Sequence, residues 1–122
     1  VKQLYLGIML VLVAMLIGCS DGQDKTVINY CKALEAGKLD EAASFLSKDA
    51  IVVLERAGGK ALLAEAGAKF KQRKGISKIK ITSKKTTGNS AMVEFVYNFN
   101  DGSKSKDSFP LVKESGTWKI TK

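Results

Sequence analysis

"SAMVEFVYNF", residues 90–99, alternates without a break: Ala91, Val93, Phe95, Tyr97 and Phe99 fall on one side of an extended chain, Met92, Glu94, Val96 and Asn98 on the other. Successive strand side chains point to opposite faces, so this period predicts a strand with one face in a core. Asn100-Asp101-Gly102 follows at once, and Asp-Gly suits the positive φ angles of a type I′ hairpin turn. Ser105 to Lys113 is then the return strand, and Gly116 turns the chain again into Thr117–Thr121, where Trp118 and Ile120 point together. Upstream, Ile76 to Lys85 places Ile79 and Ile81 on one face and Lys78, Lys80 and Lys84 on the other. The C-terminal half therefore reads as four antiparallel strands.

The half before it has the 3.6-residue period of helices. Asp24 is placed to cap a helix carrying Val27, Tyr30, Cys31 and Leu34 on one face, and Gly37 ends it. A second helix starts at Leu39, has Asp40 and Glu41 in its first turn and buries Leu39, Ala42, Ala43 and Leu46, with Phe45 alongside; Ser47-Lys48-Asp49 closes it. Ala50 to Glu55, "AIVVLE", is too short to classify by period, and its β-branched content leans to a strand or extended segment. After Gly58-Gly59 a third helix spans Lys60 to Lys74, with Leu62, Leu63, Ala66 and Phe70 as the buried stripe; Gly67 within it points to a close packing contact. Helices followed by strands make an α+β fold, N-terminal helices packed on a curved, mainly four-stranded antiparallel sheet. A long twisted sheet of this kind wraps round the third helix and leaves an opening at one end.

Ahead of the domain, Lys2 is followed by an apolar run from Leu4 to Ile17, shorter than the roughly 20 residues of a membrane span and of the length of a signal-peptide core. Leu16-Ile17-Gly18-Cys19 resembles a bacterial lipobox, which implies cleavage before Cys19 and acylation of its thiol. A cysteine at the water boundary is where acyl chains can enter the bilayer while the domain stays outside, and two or three chains make the anchor durable. A conventional cleaved signal and an uncleaved anchor are the competing readings. The expected organisation is a signal peptide over 1–18, a lipidated tether over 19–23 and one domain over 24–122. Ser20 after the cysteine, by analogy with the Gram-negative sorting rule, points to the outer membrane of a bacterial cell envelope.

Chemistry is limited by composition. The chain has no His, and with Cys19 acylated, Cys31 has no intramolecular partner. A catalytic thiol needs a base beside it, so Cys31 reads as a buried small hydrophobe. No close acidic cluster suits a metal, and Gly58-Gly59-Lys60 lacks the longer glycine pattern of a phosphate-binding loop. No metal and no cofactor are expected. The 20 basic residues outnumber 12 acidic ones for a net charge of +8, and only Lys2 among the charges precedes Cys19. Within "KFKQRKGISKIKITSKK", residues 69–85, eight residues are basic and none acidic. Lys69, Arg73, Lys78, Lys80 and Lys84 are the candidates for contact with anionic headgroups or surface polymers; a plainly solvated face is the alternative. Nothing resembles a helix-turn-helix or aromatic-stacking motif, so nucleic acid is not an expected partner.

Two stretches carry a family resemblance: "YCKALEAGKLDEAASFLS", residues 30–47, and "LVKESGTWKI", residues 111–120. With the lipobox they resemble the small bacterial lipoproteins of the nuclear-transport-factor-two-like, or cystatin-like cone, superfamily, in the group known as a domain of unknown function with lumazine-binding-like relatives. The resemblance implies a cone whose interior can be a pocket for a small molecule, an open sheet face for an envelope protein, and pairing of two copies through the sheet. In enzymes of that superfamily the pocket holds catalytic Asp, His or Tyr residues. Here Asp107 alternates with Phe109 and Leu111 and Tyr97 lies on the neighbouring strand, so an inward Asp107 as base with Tyr97 as oxyanion donor is the isomerase- or dehydratase-like alternative. A solvated carboxylate at Asp107 and a packing role for Tyr97 and Trp118 are the competing readings, and no residue is assigned a catalytic role.

Overall fold

Covering the apolar face of residues 90–99 is the first demand on this chain. The computed structural model describes residues 22–122, so the leader, the motif ending at Cys19 and the acylation of Cys19 lie outside the described residues. Helix α1 runs through residues 22–36, α2 is Leu39–Ser44, α3 is Lys48–Ala57 and α4 is Lys60–Gln72. Strands β1 (Ile76–Thr87), β2 (Ser90–Phe99), β3 (Lys104–Glu114) and β4 (Thr117–Ile120) pair antiparallel in that spatial order. The arrangement is the α+β one expected, four helices and a curved four-stranded antiparallel sheet.

Ala91, Val93, Phe95, Tyr97 and Phe99 are all buried, together with Leu111 of β3 and Ile120 of β4, and α1 covers them with Val27 and Cys31. The other side of α1 supplies Ala33 and Leu34 to a second cluster with Ala42 of α2 and Leu63 of α4. Helix α1 thus packs on the sheet with one face and on α2 and α4 with another. Gly67 is what lets α4 reach it: a Cβ there would collide with the Leu34 carbonyl, whose carbon would lie 3.0 Å away. The free edge of β4 is closed by the α2–α3 linker, where Ser47 N donates to Ile120 O (2.7 Å) and Ile120 N donates to Phe45 O (2.8 Å). Closing an edge in this way removes a template for unwanted strand pairing.

Several expectations are corrected. Residues 50–55 are helical, inside α3. The Ser47 side chain accepts from Ala50 N (3.1 Å), Asp49 lies in the first turn and Arg56 in the last, so caps and end charges outweigh the modest helix penalty of the three β-branched residues Ile51, Val52 and Val53. Ile51 and Leu54 are half-buried while Val52 and Val53 remain 46% and 43% exposed. Ser47-Lys48-Asp49 therefore opens α3 and does not close α2. Asp24 lies within α1 and not at the residue before its start. Leu62 is 42% exposed and off the buried stripe of α4, which ends at Gln72.

The turn at residues 100–102 also differs: Gly102 has φ 87°, and Asn100 and Asp101 are not among the positive-φ residues. That is a three-residue hairpin loop with a left-handed glycine, and the type I′ geometry sits instead at Ser115-Gly116, with φ 50° and 80°.

Gly67→Ala tests the close approach of α1 and α4. Ala normally gains about 1 kcal/mol over Gly within a helix, whereas overpacking costs about 1–3 kcal/mol; urea unfolding is expected to show net destabilisation.

Candidate functional site

Two surfaces were open to function: the inside of the cone and the sheet face turned away from the helices. Inside, aromatic rings occupy the space. Tyr97 lies with its ring centroid 5.1 Å from Phe70, 5.0 Å from Phe95 and 5.6 Å from Phe99, and Phe109 is 5.1 Å from Phe95 and 5.7 Å from Tyr30. The Tyr97 hydroxyl and Cys31 Sγ share a hydrogen bond of 3.7 Å. Burial pushes the Cys31 thiol and the Tyr30 phenol up to about 12 each, and pushes Tyr97 higher still. All three stay neutral at physiological pH. Asp107 pairs in register with Phe95, on the helix-facing side, yet it is exposed, and its Oδ1 accepts from Ser108 N (2.8 Å). Asp107 is thus the solvated carboxylate of the competing reading, and the apolar enclosure that the isomerase-like alternative needs is not formed.

Outside, register decides which lysines meet. β1 runs in simple alternation from Lys78 to Ile81, then a bulge at Thr82 shifts it, so that Ile81 pairs with Phe95 but Ser83 with Glu94. One inserted residue reverses the faces of everything after it. Lys84 is thereby paired with buried Val93 and turned to the helix side, where its Nζ lies 3.0 Å from Asp24 Oδ1 of α1. It does not share the face of Lys78 and Lys80, as simple alternation implied. Arg73 caps α4 and stacks over the Phe99 ring at 4.9 Å, and Lys69 is an exposed residue of α4. Of the five candidate basic residues, only Lys78 and Lys80 lie on the open face.

Two lysines from β3 join them. Lys78 pairs across the sheet with Asn98 and that with Lys104; Lys80 pairs with Val96 and that with Lys106. All four are exposed, and neither ion pair among the described residues uses any of them. Two adjoining hollows of about 560 and 380 Å³ share Thr82, Val96 and Lys106, with Lys80 and Lys104 lining one and Glu94 the other. The face is therefore a shallow trough with a lysine rail on each side and two acids, Glu94 and Asp107, at the end nearer Ser90. Lys104 and Lys106 were missed because they lie beyond the basic stretch; their alternation, Lys104-Lys106-Ser108, was the available signal.

A further groove of about 510 Å³ runs between α1 and the edge of β1, lined by Ile28, Lys32, Glu35, Ile76 and Ile79 among others. Glu35 spends its carboxylate there, accepting from Ile76 N (3.0 Å). Among the described residues no group of acids or cysteines could hold a metal, and no helix is long and apolar enough to cross a membrane.

The raised acids predict an alkaline instability. Their folded forms keep protons that the unfolded chain releases from the ordinary thiol value of 9.0 upward, so this stability is complete below that pH and is lost as pH climbs toward about 12. Urea midpoints are expected to fall between about pH 8 and about pH 10.5, and Tyr97→Phe should flatten the fall.

Residues 17–121 match the family model of a domain of unknown function, DUF4878. None of the curated proteins matches the chain. Among solved structures, it is similar to an NTF2-like protein from Campylobacter jejuni, provisionally named a transpeptidase: 21% identity, 83% of this chain and 98% of that one covered, TM-score 0.70. A de novo designed NTF2-fold protein is 19% identical over 80% of each chain, with a TM-score of 0.53. At these identities the likeness shows the fold alone, and the fold is NTF2-like.

Proposed function

We propose that this chain, which belongs to the DUF4878 family of domains of unknown function, is a lipid-anchored binding module of the bacterial cell envelope that holds a polyanion on its open sheet face. The observation that carries the reading is the pair of lysine rails, Lys78 and Lys80 on β1 and Lys104 and Lys106 on β3, flanking Val96 and Asn98.

Strands two apart stand about 9.6 Å from each other, and alternate residues on one strand about 6.7 Å. Four ammonium groups at these spacings can meet successive phosphates or carboxylates of an extended polymer lying along β2. Lysine acts as a mobile point charge without the fixed fork of arginine, so such binding is tolerant of detailed structure and sensitive to salt. Glu94 and Asp107 bound the trough toward Ser90 and set the polymer's place at the other end. The filled interior argues against a pocket for a small molecule. Leu16-Ile17-Gly18-Cys19 supports the anchor, and Ser20 after it supports the outer membrane as the destination.

Titration with long-chain inorganic polyphosphate at low salt tests the face. At about 1 kcal/mol for each lysine near a charged surface, losing two is worth about 30-fold in affinity. Lys80→Glu with Lys106→Glu should weaken binding by at least that factor. Lys69→Glu with Lys71→Glu changes net charge equally on α4 and should have a much smaller effect; equal losses from both pairs would sink the proposal.

A further inference from the structure

Where an acyl anchor joins a domain decides which end of the domain meets the bilayer. We infer that this domain rests on headgroups by the end formed by the β1–β2 and β3–β4 turns, with Trp118 at the contact and the lysine rails held outward. The inference rests on the proposed acylation of Cys19 and adds to it a defined membrane-facing surface.

Cys19 is three residues before Gly22, so their Cα atoms are at most about 11 Å apart whatever path the chain takes. The first turn of α1 is itself fastened to one end of the sheet. A Cβ on Gly22 would lie 3.4 Å from Trp118 Cδ1, Gln23 Nε2 donates to Thr86 Oγ1 (2.9 Å), Asp24 pairs with Lys84, and Thr26 Oγ1 donates to the Trp118 carbonyl (3.1 Å). These contacts reach both β1 and β4, so α1 cannot swing its start away from the sheet without breaking all of them. The two turns lie side by side there, since Lys113 N donates to Asn89 O (2.8 Å).

The chemistry of that end suits an interface. It carries the protein's single tryptophan, half-buried, with Lys113 Nζ 5.7 Å from its ring, and exposed Lys85, Thr87, Asn89, Ser115 and Thr117. Indole rings favour the headgroup level, and lysines favour an anionic leaflet. The nearby acids are engaged, Asp24 with Lys84 and Glu114 accepting from Lys48 N (3.1 Å).

With the strands standing away from the bilayer, Val96 lies six residues and Asn98 eight residues above Ser90, roughly 20 and 27 Å. Both exceed the Debye length of about 8 Å at physiological salt. The rails therefore feel little of the membrane beneath them and stay open to a partner above it.

The test uses the full chain, purified with its acyl groups and reconstituted into phosphatidylcholine vesicles containing phosphatidylglycerol. Lipids brominated near the headgroup end of the acyl chains should quench Trp118 emission, and vesicle insertion should shield it from iodide. In Trp118→Phe with Asp101→Trp, which moves the probe to the opposite end, quenching should be lost. An unquenched, iodide-accessible Trp118 in the wild-type chain overturns the orientation even if the variant fails to fold, as does equal quenching at both positions. Intact mass of the same preparation separates the two ideas: acyl mass on Cys19 with no quenching overturns the orientation alone, and absence of acyl mass overturns the anchor and the orientation with it.

Discussion

The apolar face of β2 is the constraint on which the rest of the structure depends. Five alternate side chains, three of them aromatic, have to be removed from water together, and burial of each large one is worth about 1.5–3 kcal/mol. No single helix is wide enough to cover them. Val27 and Cys31 of α1 take the centre, Phe70 of α4 takes the end at Tyr97 and Phe99, and the ends of β3 and β4 add Leu111 and Ile120. Bringing α1 and α4 into one layer then requires the glycine at 67. An apolar stripe on one strand thus dictates a backbone contact between two helices.

The same stripe sets the chemistry of both sheet faces. On the inner side it packs aromatic rings closely enough that Tyr97 and Cys31 satisfy each other and remain protonated. That interior resembles a protein core more than a reaction chamber. On the outer side it leaves Glu94, Val96 and Asn98 of β2 as the floor of a trough. The flanking strands contribute their own alternate residues there, and in this chain four of those are lysines.

A single bulge at Thr82 divides the labour between the lysines of β1. Before it, Lys78 and Lys80 face outward and belong to the trough. After it, Lys84 turns inward and its charge is used against Asp24 to fix the start of α1. A structural ion pair and a candidate binding surface thus come from one basic stretch, separated by one residue of register.

Much of this was legible in the chain itself. The alternation in residues 90–99 and the glycine breaks at 37, 58–59, 75 and 116 depend on neighbours a few residues away, and local rules read them; Gly67 stood out as a glycine inside a helix, but the Leu34 carbonyl that requires it is brought there by the fold. Residues 50–55 misled because a β-branched run was weighed without recognising Ser47 as its cap. The basic surface was only half legible: Lys78 and Lys80 stood out as a run, while Lys104 and Lys106 joined them through hairpin pairing and Lys84 left them through a bulge. The sequence by itself determined the period of each strand, the breaks between elements and the sign of the charge. Which charges stand together, and that Asp107 is left in water, was decided only by the tertiary structure, because register and helix coverage are set by contacts between residues far apart in the chain.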